Sequence, residues 1–343
     1  DKFERITRSG NPMNLTSTYL GMELSSPIVV SACPLSENLD NIVRMQENGA
    51  GAVVLFSLFE EQIRRENALY QEVMENTAGA FAEAADYFPG AEEYQTGTVE
   101  YLELIRRAKK QVDMPIIASL NGISPEGWIE YARQVEQAGA DGIELNVFYI
   151  PADVSLTGTE VEERYLNIVK LVKSTVSIPV AIKLNPYFSA MGNMAHRMAD
   201  AGADGLVFFN RFYQPDFDIE NLRVISDLRY SEDNEIRLPL LWIAALHGRI
   251  DASFAATSGV QGAEEVVKYL LAGADVVMTA SSLYRHGIEH LAIMNRELKQ
   301  WMQRLSFDSI DGFRGVLSQQ NIHDPTAYER ANYIRIMETA RQA

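Results

Sequence analysis

Short apolar runs recur along the chain, and longer stretches in which apolar residues return with helical spacing lie between them. The runs are rich in Val, Ile, Leu and Phe and carry little charge, which is typical of strands buried on both faces of a parallel sheet. Eight runs are predicted as strands: 26–32, 51–57, 114–121, 141–148, 178–185, 204–210, 252–258 and 275–280. Helices are predicted at 38–48, 99–111, 125–138, 160–174, 190–201, 219–229, 239–248, 262–272 and 288–304.

A phrase built on Ala-Gly-Ala-Asp and followed by β-forming residues returns at 137–146, 200–210 and 271–280, with a looser version at 47–56. Glycine adopts the left-handed conformation that ends a helix at little cost, so each phrase predicts a helix end followed directly by a buried strand. The predicted C-caps are Gly49, Gly139, Gly202 and Gly273. The alternation favours a single closed (β/α)8 TIM barrel of the α/β class, with an open doubly wound sheet as the alternative.

No linker rich in Pro, Ser or Gly divides the chain, so residues 13–343 are predicted to form one domain. Residues 1–12 are charged and join no periodic pattern, and we interpret them as an N-terminal arm or a remnant of cloning. Two inserts, 58–98 and 211–218, follow strands and are therefore expected on the face where barrels build their active sites. The segment 324–340 predicts an extra C-terminal helix.

Polar residues stand at the carboxyl ends of the predicted strands. They are Ser31, Ser57, Asn121, Asn146, Lys183, Asn185, Asn210, Ser258 with Gly259, and Ala280 with Ser281. One asparagine at a strand end is usually a turn former, but three strands that end in Asn121, Asn146 and Asn210, beside a further strand with a lysine, favour a ligand site. A buried lysine is costly unless it meets an anion or acceptor, although a satisfied structural role is the alternative for Lys183.

The last two predicted units carry a phosphate signal. Small residues in "ATSGV" (256–260) and "TASSL" (279–283) lead from strand ends into helices. Barrels often hold phosphate in the loops after the seventh and eighth strands, where backbone N–H groups approach the oxygens closely. Many phosphorylated ligands share this arrangement, so the signal indicates a phosphate group and not a particular molecule.

Charge and composition restrict the classes of partner and the compartment that we expect. The 343 residues carry a net charge of −17, with 47 acidic and 30 basic side chains, which disfavours nucleic acid. A single cysteine, Cys33, fits a reducing compartment, and no apolar run is long enough to span a bilayer, so we expect a cytoplasmic protein without membrane contact. His286 and His290 have helical spacing without a third ligand, and no metal site is predicted.

Four collinear segments resemble the dihydroorotate dehydrogenases of the soluble class, from about Leu20 to Leu317. They are "LGMELSSPIVVSACPLS", "AGADGIELN", "AIKLNPYF" and "GVQGAEEVVKYLLAGADVVMTASSLYRHG". The resemblance implies an FMN-containing barrel that oxidises dihydroorotate to orotate in pyrimidine biosynthesis. In that reaction a base takes a proton from C5 while hydride passes from C6 to the flavin N5. A homodimer is expected from the resemblance alone.

Carried over by position, the resemblance implies that Lys183 lies against the flavin ring and that Asn146 and Asn210 contact the substrate. It places the cofactor phosphate at Ser258-Gly259 and Ala280-Ser281, where the family usually has Gly-Gly and Gly-Thr. The predicted FMN-binding residues are Ser31, Ala32, Ser57, Asn121, Asn146, Lys183, Ser258, Gly259, Ala280 and Ser281.

The substrate half departs from the family pattern. Phe56 replaces a lysine after the second strand, and "YFPG" (87–90) replaces a loop that bears an asparagine. Tyr149 stands nearest the position of the family's catalytic cysteine, and Cys33 lies on the wrong strand to substitute for it. Because the ordinary pKa of tyrosine is about 10, Tyr149 needs a neighbouring cation or donor to act as the base. A stacking or gating role is the alternative.

Three other hypotheses therefore stay open. The barrel could use FMN on a different cyclic amide or enoyl-type substrate, bind the flavin without catalysis, or act as a lyase or aldolase through a Schiff base on Lys183. The sequence has no cysteine cluster for an iron–sulfur centre and no G-x-G-x-x-G after a strand. Electrons are therefore expected to leave through a soluble acceptor or a partner subunit.

Overall fold

The computed structural model describes residues 13–60, 97–122, 125–211, 215–225 and 229–340. The described strands are β1 Ser17–Tyr19, β2 Met22–Leu24, β3 Ile28–Val30, β4 Ala52–Phe59, β5 Ile116–Asn121, β6 Gly142–Asn146, β7 Val180–Lys183, β8 Gly205–Phe208, β9 Asp216–Asp218, β10 Arg223–Ile225, β11 Ser253–Ala256 and β12 Val276–Thr279. The described helices are α1 Leu39–Glu47, α2 Gly97–Gln111, α3 Pro125–Ala138, α4 Gly158–Lys173, α5 Met191–Asp200, α6 Arg237–Leu246, α7 Ala263–Ala272, α8 Ser281–His286, α9 His290–Arg304 and α10 Ala331–Ala340.

Eight of these strands close into a parallel barrel in the order β11-β12-β3-β4-β5-β6-β7-β8. Each lies in or overlaps one of the eight predicted runs, so the (β/α)8 prediction is confirmed and the open sheet is excluded. The strands are almost wholly buried because helices cover the outside of the ring and side chains fill the inside. A β-bulge between Val54 and Ser57 shifts the register of β4 against β5.

The four glycines of the repeated phrase have the left-handed backbone conformation that was predicted for them. Their φ angles are 86° at Gly49, 99° at Gly139, 106° at Gly202 and 119° at Gly273. The phrase therefore ends a helix and releases the chain directly into a barrel strand.

The aspartate of the phrase has a role that the sequence did not reveal. Its carboxylate accepts a 2.7 Å hydrogen bond from a backbone N–H near the start of the preceding barrel strand and also pairs with a basic side chain. The three sets are Asp141 with Ile116 and Lys109, Asp204 with Val180 and Lys173, and Asp275 with Phe254 and Arg314. Each aspartate thus ties two successive units together.

Eight of the nine predicted helices are confirmed, but the helix predicted at 219–229 is wrong. The chain there turns after β9 and returns as β10. Asp218 stabilises this hairpin because its carboxylate accepts hydrogen bonds from the backbone and side chain of Asn221 and pairs with Arg223. The apolar residues that suggested a helix lie instead on exposed positions of the ribbon.

The C-terminal extension is helical as predicted: a 3-10 turn at Pro325–Tyr328 precedes α10. Residues 1–12 and 61–96 lie outside the described residues. The N-terminal arm, most of the 58–98 insert and the "YFPG" segment therefore remain predictions.

The hairpin of β1 and β2, which was not predicted, seals the amino-terminal end of the barrel. Tyr19, Leu20 and Leu24 join the inner cluster of small apolar side chains that fills the ring. Leu20 lies so close to β8 that a methyl group added at Gly205 would approach its Cδ2 to 2.6 Å. The Leu20 N–H also donates to the Ser253 hydroxyl at 3.1 Å. The floor of the barrel is therefore packed and apolar.

Removing the Leu20 side chain should destabilise the barrel. Leu20 is 5% exposed, and Leu20→Ala is expected to lower the free energy of unfolding by about 2–5 kcal/mol, measured by chemical denaturation. Leu222→Ala is a matched control because Leu222 is 90% exposed and also has a positive φ, 50° against 53° at Leu20. The control should cost less than about 0.5 kcal/mol, and equal losses in both variants would contradict the sealing role.

Candidate functional site

A cavity of about 530 Å³ opens at the carboxyl ends of the barrel strands. It brings together eight of the residues predicted from the sequence: Ser31, Ala32, Lys183, Asn210, Ser258, Gly259, Ala280 and Ser281. Ser31 and Ala280 are distant in sequence but adjacent here, because the Ser31 N–H donates to the Thr279 carbonyl where β12 pairs with β3.

The cavity wall carries basic side chains although the chain as a whole has a net charge of −17. Lys183, Arg211 and Arg229 line it, and no Asp or Glu is found among the described residues that form the wall. Each of the three pairs with a carboxylate that does not belong to the wall: Glu144 for Lys183, Glu235 for Arg211 and Asp216 for Arg229. The wall therefore offers hydrogen-bond donors to an anionic ligand, and much of their positive charge is already offset.

Lys183 ends β7 and its side chain is buried beside the cavity. Its Nζ donates to Glu144 Oε1 at 3.3 Å and lies 3.5 Å from the Ser31 hydroxyl. Glu144 is completely buried, and its Oε2 has no hydrogen-bond partner among the described residues. A buried lysine was expected to need an anion or acceptor, and here the anion is Glu144 of the barrel itself. Its position inside the otherwise apolar run "GIELN" was the feature of the sequence that could have indicated it.

The predicted asparagines lie beside this pair. Asn121, Asn146 and Lys183 are neighbours across β5, β6 and β7 at one level of the barrel. The Asn210 amide donates to the Asn146 side-chain oxygen at 2.8 Å, which joins the cavity wall to the strand ends. Asn185 is different, because its amide donates to the Tyr165 hydroxyl at 2.8 Å and so braces α4.

Ser57 does not line the cavity. Its hydroxyl lies 2.8 Å from that of Ser119 on the neighbouring strand. Phe56, at the position where the resemblance implies a lysine, packs edge-on against Tyr101 of α2 with ring centroids 4.9 Å apart. The side chain at position 56 therefore belongs to the layer between the barrel and its helices.

The two predicted phosphate turns face the same part of the cavity. Ser258 and Gly259 both have positive φ, at 79° and 74°. A Cβ at Gly259 would come within 2.9 Å of the Glu232 carbonyl, so only glycine lets the two loops approach this closely. The Ser281 hydroxyl, from the other turn, lies 2.9 Å from that of Ser231.

Three residues that sequence reasoning missed surround these turns. Gln261 donates to the Ser231 carbonyl at 2.8 Å and to the Ser281 hydroxyl at 3.1 Å. Arg285 in turn donates to the Ser231 carbonyl at 2.9 Å and to the Gln261 side chain at 2.6 Å. Ser231 lies in the loop after β8, far in sequence from either turn, and no local pattern marked it.

Cys33 and two stacked tyrosines also line the cavity. The rings of Tyr230 and Tyr284 lie nearly parallel with centroids 5.3 Å apart. Burial raises the pKa of the Cys33 thiol above its ordinary value, and contacts with backbone groups, Tyr284 and Lys183 only partly offset this. The thiol therefore stays protonated at neutral pH.

Tyr149 is half-buried and does not line the cavity. The guanidinium of Arg164, on α4, lies over its ring at 4.2 Å from the centroid. Within the described part of the chain, Arg164 forms no ion pair with a carboxylate. The tyrosine thus has the neighbouring cation that a base would need, but the contact is with the ring face, and this geometry equally suits packing.

No group of three or more potential metal ligands occurs among His, Cys, Asp and Glu of the described residues. Across the same residues, no helix combines the length and apolar character needed to cross a membrane.

The model of the dihydroorotate dehydrogenase family matches residues 14–302, which is most of the chain. The chain belongs to the dihydroorotate dehydrogenase family.

Curated relatives of the same family are similar over nearly their whole length. Two are described as the catalytic subunit of dihydroorotate dehydrogenase B (NAD(+)). The protein from Methanocaldococcus jannaschii is 28% identical over 284 residues, or 80% of this chain and 89% of the relative. The one from Methanothermobacter thermautotrophicus is 27% identical over 313 residues, or 88% and 98%. The family membership rests on the match of the family model over most of the chain.

Alkylation of the single cysteine tests the environment of the cavity. Because the pKa of Cys33 is raised, iodoacetamide should modify it slowly in the native protein at pH 8, and the rate should rise only at more alkaline pH. Mass spectrometry after timed quenching measures the rate. The urea-unfolded chain is the control and should react as an ordinary thiol. Equal rates for native and unfolded protein would show that Cys33 is not buried as described.

Proposed function

We propose that this chain is an FMN-dependent oxidoreductase that takes hydride from a ring carbon of a cyclic amide, with dihydroorotate as the leading substrate. The observation that carries the proposal is that Lys183 and both phosphate turns line one cavity. A lysine directed elsewhere, or turns on separate surfaces, would have removed the basis for a flavin site.

The residues present fit FMN. The phosphate would meet the hydroxyls of Ser231, Ser258 and Ser281 and the backbone at Gly259. Arg211 and Arg229, which pair with Glu235 and Asp216, would add further donors from the wall. The isoalloxazine ring would lie toward Lys183 and the asparagine side chains, which offer both donors and acceptors. The cavity volume lies within the roughly 300–1,000 Å³ of typical ligand pockets.

The protein residues would position the reactants and exclude water. When bound, FMN supplies a two-electron hydride acceptor. Asn146 and Asn210, already hydrogen-bonded to each other at 2.8 Å, would orient the amide edge of the substrate. The sealed apolar floor below keeps the inner face of the site dry.

A second candidate keeps the flavin and changes the substrate to another cyclic amide or an enoyl compound. It is favoured by two departures: Phe56 packs away from the cavity, and Tyr149 is absent from the cavity wall. The charge and the base that the family brings to dihydroorotate are therefore not found at the matching positions.

The lyase or aldolase alternative is less well supported. A Schiff-base lysine needs an unprotonated amine that is free to attack a carbonyl. Lys183 instead donates to Glu144 and lies beside Ser31, which favours a fixed ammonium.

We also propose that the electrons leave through a partner subunit or a soluble acceptor, and that the chain forms a homodimer. The names of the relatives support the first point, since they describe catalytic subunits of an NAD(+)-linked enzyme. The electron acceptor would approach the carboxyl face of the barrel, where the cavity opens.

The phosphate turns can be tested with two flavins that differ only in the phosphate. Ser281→Ala should weaken FMN binding by about tenfold, because it removes a hydroxyl donor to a charged group, and should leave riboflavin binding unchanged. Fluorescence titration of the apoprotein measures both affinities. Ser174→Ala is the control, since that hydroxyl bonds the Leu171 carbonyl at the end of α4. A wild-type protein that binds no FMN would refute the proposed function.

The substrate is tested by anaerobic addition of dihydroorotate to the FMN-loaded protein. Loss of the visible flavin absorption is the expected result, and a flavin that stays oxidised would favour the second candidate. Tyr149→Phe keeps the ring beneath Arg164 and removes the hydroxyl. Because Tyr149 lies off the cavity wall, we expect the reduction rate to fall less than about tenfold, whereas losing a true base costs about 10²–10⁴-fold. A loss in the larger range would assign Tyr149 as the base.

A further inference from the structure

One carboxylate lies inside the barrel, below the cavity. The other strands contribute apolar side chains such as Val54, Ile117 and Ala181 to the inner cluster, whereas β6 contributes Glu144. This residue is completely buried, with Oε1 at 3.3 Å from Lys183 Nζ and Oε2 unpartnered among the described residues. A carboxylate in such a place is costly, and the ammonium beside it offsets that cost.

The pair also restricts where the ammonium can be. Lys183 Nζ lies between Glu144 on β6 and Ser31 beyond β3, so contacts from two other parts of the ring fix its position. The side chain is 9% exposed, and Lys183 lines the cavity. A lysine on its own has four flexible bonds, and here that freedom is removed before any ligand binds.

We propose that Glu144 is a positioning residue that holds the Lys183 ammonium at the cavity floor and, as its buried counter-charge, sets how much positive charge a bound flavin meets. This inference rests on the proposed function. A flavin that accepts hydride gains negative charge on its ring, and a cation beside the ring stabilises that charge. The carboxylate of Glu144 partly cancels the positive charge of Lys183. Removing that carboxylate should therefore make the flavin ring accept electrons and nucleophiles more readily.

Sulfite is the probe, because it adds to the flavin N5 with its electron pair, leaves negative charge on the ring and removes the visible absorption. In the FMN-loaded protein, Glu144→Gln should bind sulfite about tenfold more tightly than wild type, and the flavin midpoint potential should become more positive. Lys183→Met should bind sulfite more weakly. The double variant should match Lys183→Met, because Glu144 acts only through the lysine.

Two further variants separate positioning from a structural role. Glu144→Asp keeps the charge and should bind sulfite about as tightly as wild type, whereas Glu144→Leu also removes the charge and replaces Glu144→Gln in the comparison if that protein does not fold. Glu136→Gln is the matched control, since Glu136 accepts hydrogen bonds from Ser177 and Ile178 at the opposite end of β7. It should lower stability without changing sulfite affinity.

The outcomes are distinguishable. If wild type binds no FMN, the proposed function fails and this inference fails with it. If wild type binds FMN but Glu144→Gln leaves sulfite affinity unchanged or weakens it, only the inference about Glu144 is overturned. An effect of Glu144→Gln that persists at full size in the Lys183→Met background overturns it as well.

Discussion

The pairing of β12 with β3 is the contact on which the candidate site depends. It joins the last barrel strand to the first, through Val277 with Ile28 and Met278 with Val29, and so converts a sheet into a ring. Only this closure brings the end of β3 beside the turn after β12. Without it, the residues of the cavity wall would lie at opposite edges of a sheet, and no common ligand could contact them.

Within the ring, polarity changes along the axis. Leu20 and Leu24 close one end, small aliphatic side chains fill the middle, and amides with an ammonium occupy the other end. The buried carboxylate of Glu144 lies at the transition between the apolar and polar layers. A buried charge is costly there unless an opposite charge lies beside it, so Glu144 stabilises the ammonium of Lys183 at the edge of the cavity.

The repeated strand–helix pattern could be predicted from the sequence because parallel strands buried on both faces give uninterrupted apolar runs. The residues at the strand ends could then be predicted to lie together, because the topology of the barrel places every carboxyl end on one face. The hairpin of β1 and β2 was missed because its strands are only three residues long, too short for a period to show. The segment 219–229 was misread because an exposed ribbon with apolar residues at Ile219, Leu222 and Val224 imitates helical spacing.

Contacts between distant loops were beyond the reach of the sequence. Gln261, Ser231 and Arg285 become a network only because the loop after β8 folds back onto the turn after β11. No residue type or spacing within that loop indicates its partner. The same holds for Tyr149, whose ring meets Arg164 through the way the loop after β6 settles on α4.

The hairpin of β1 and β2 also limits how a ligand can reach the barrel interior. Among the described residues, this hairpin covers the amino-terminal end of the barrel, while the cavity lies at the carboxyl ends of the strands. A small molecule therefore reaches the cavity from the carboxyl face and not along the barrel axis from the opposite end.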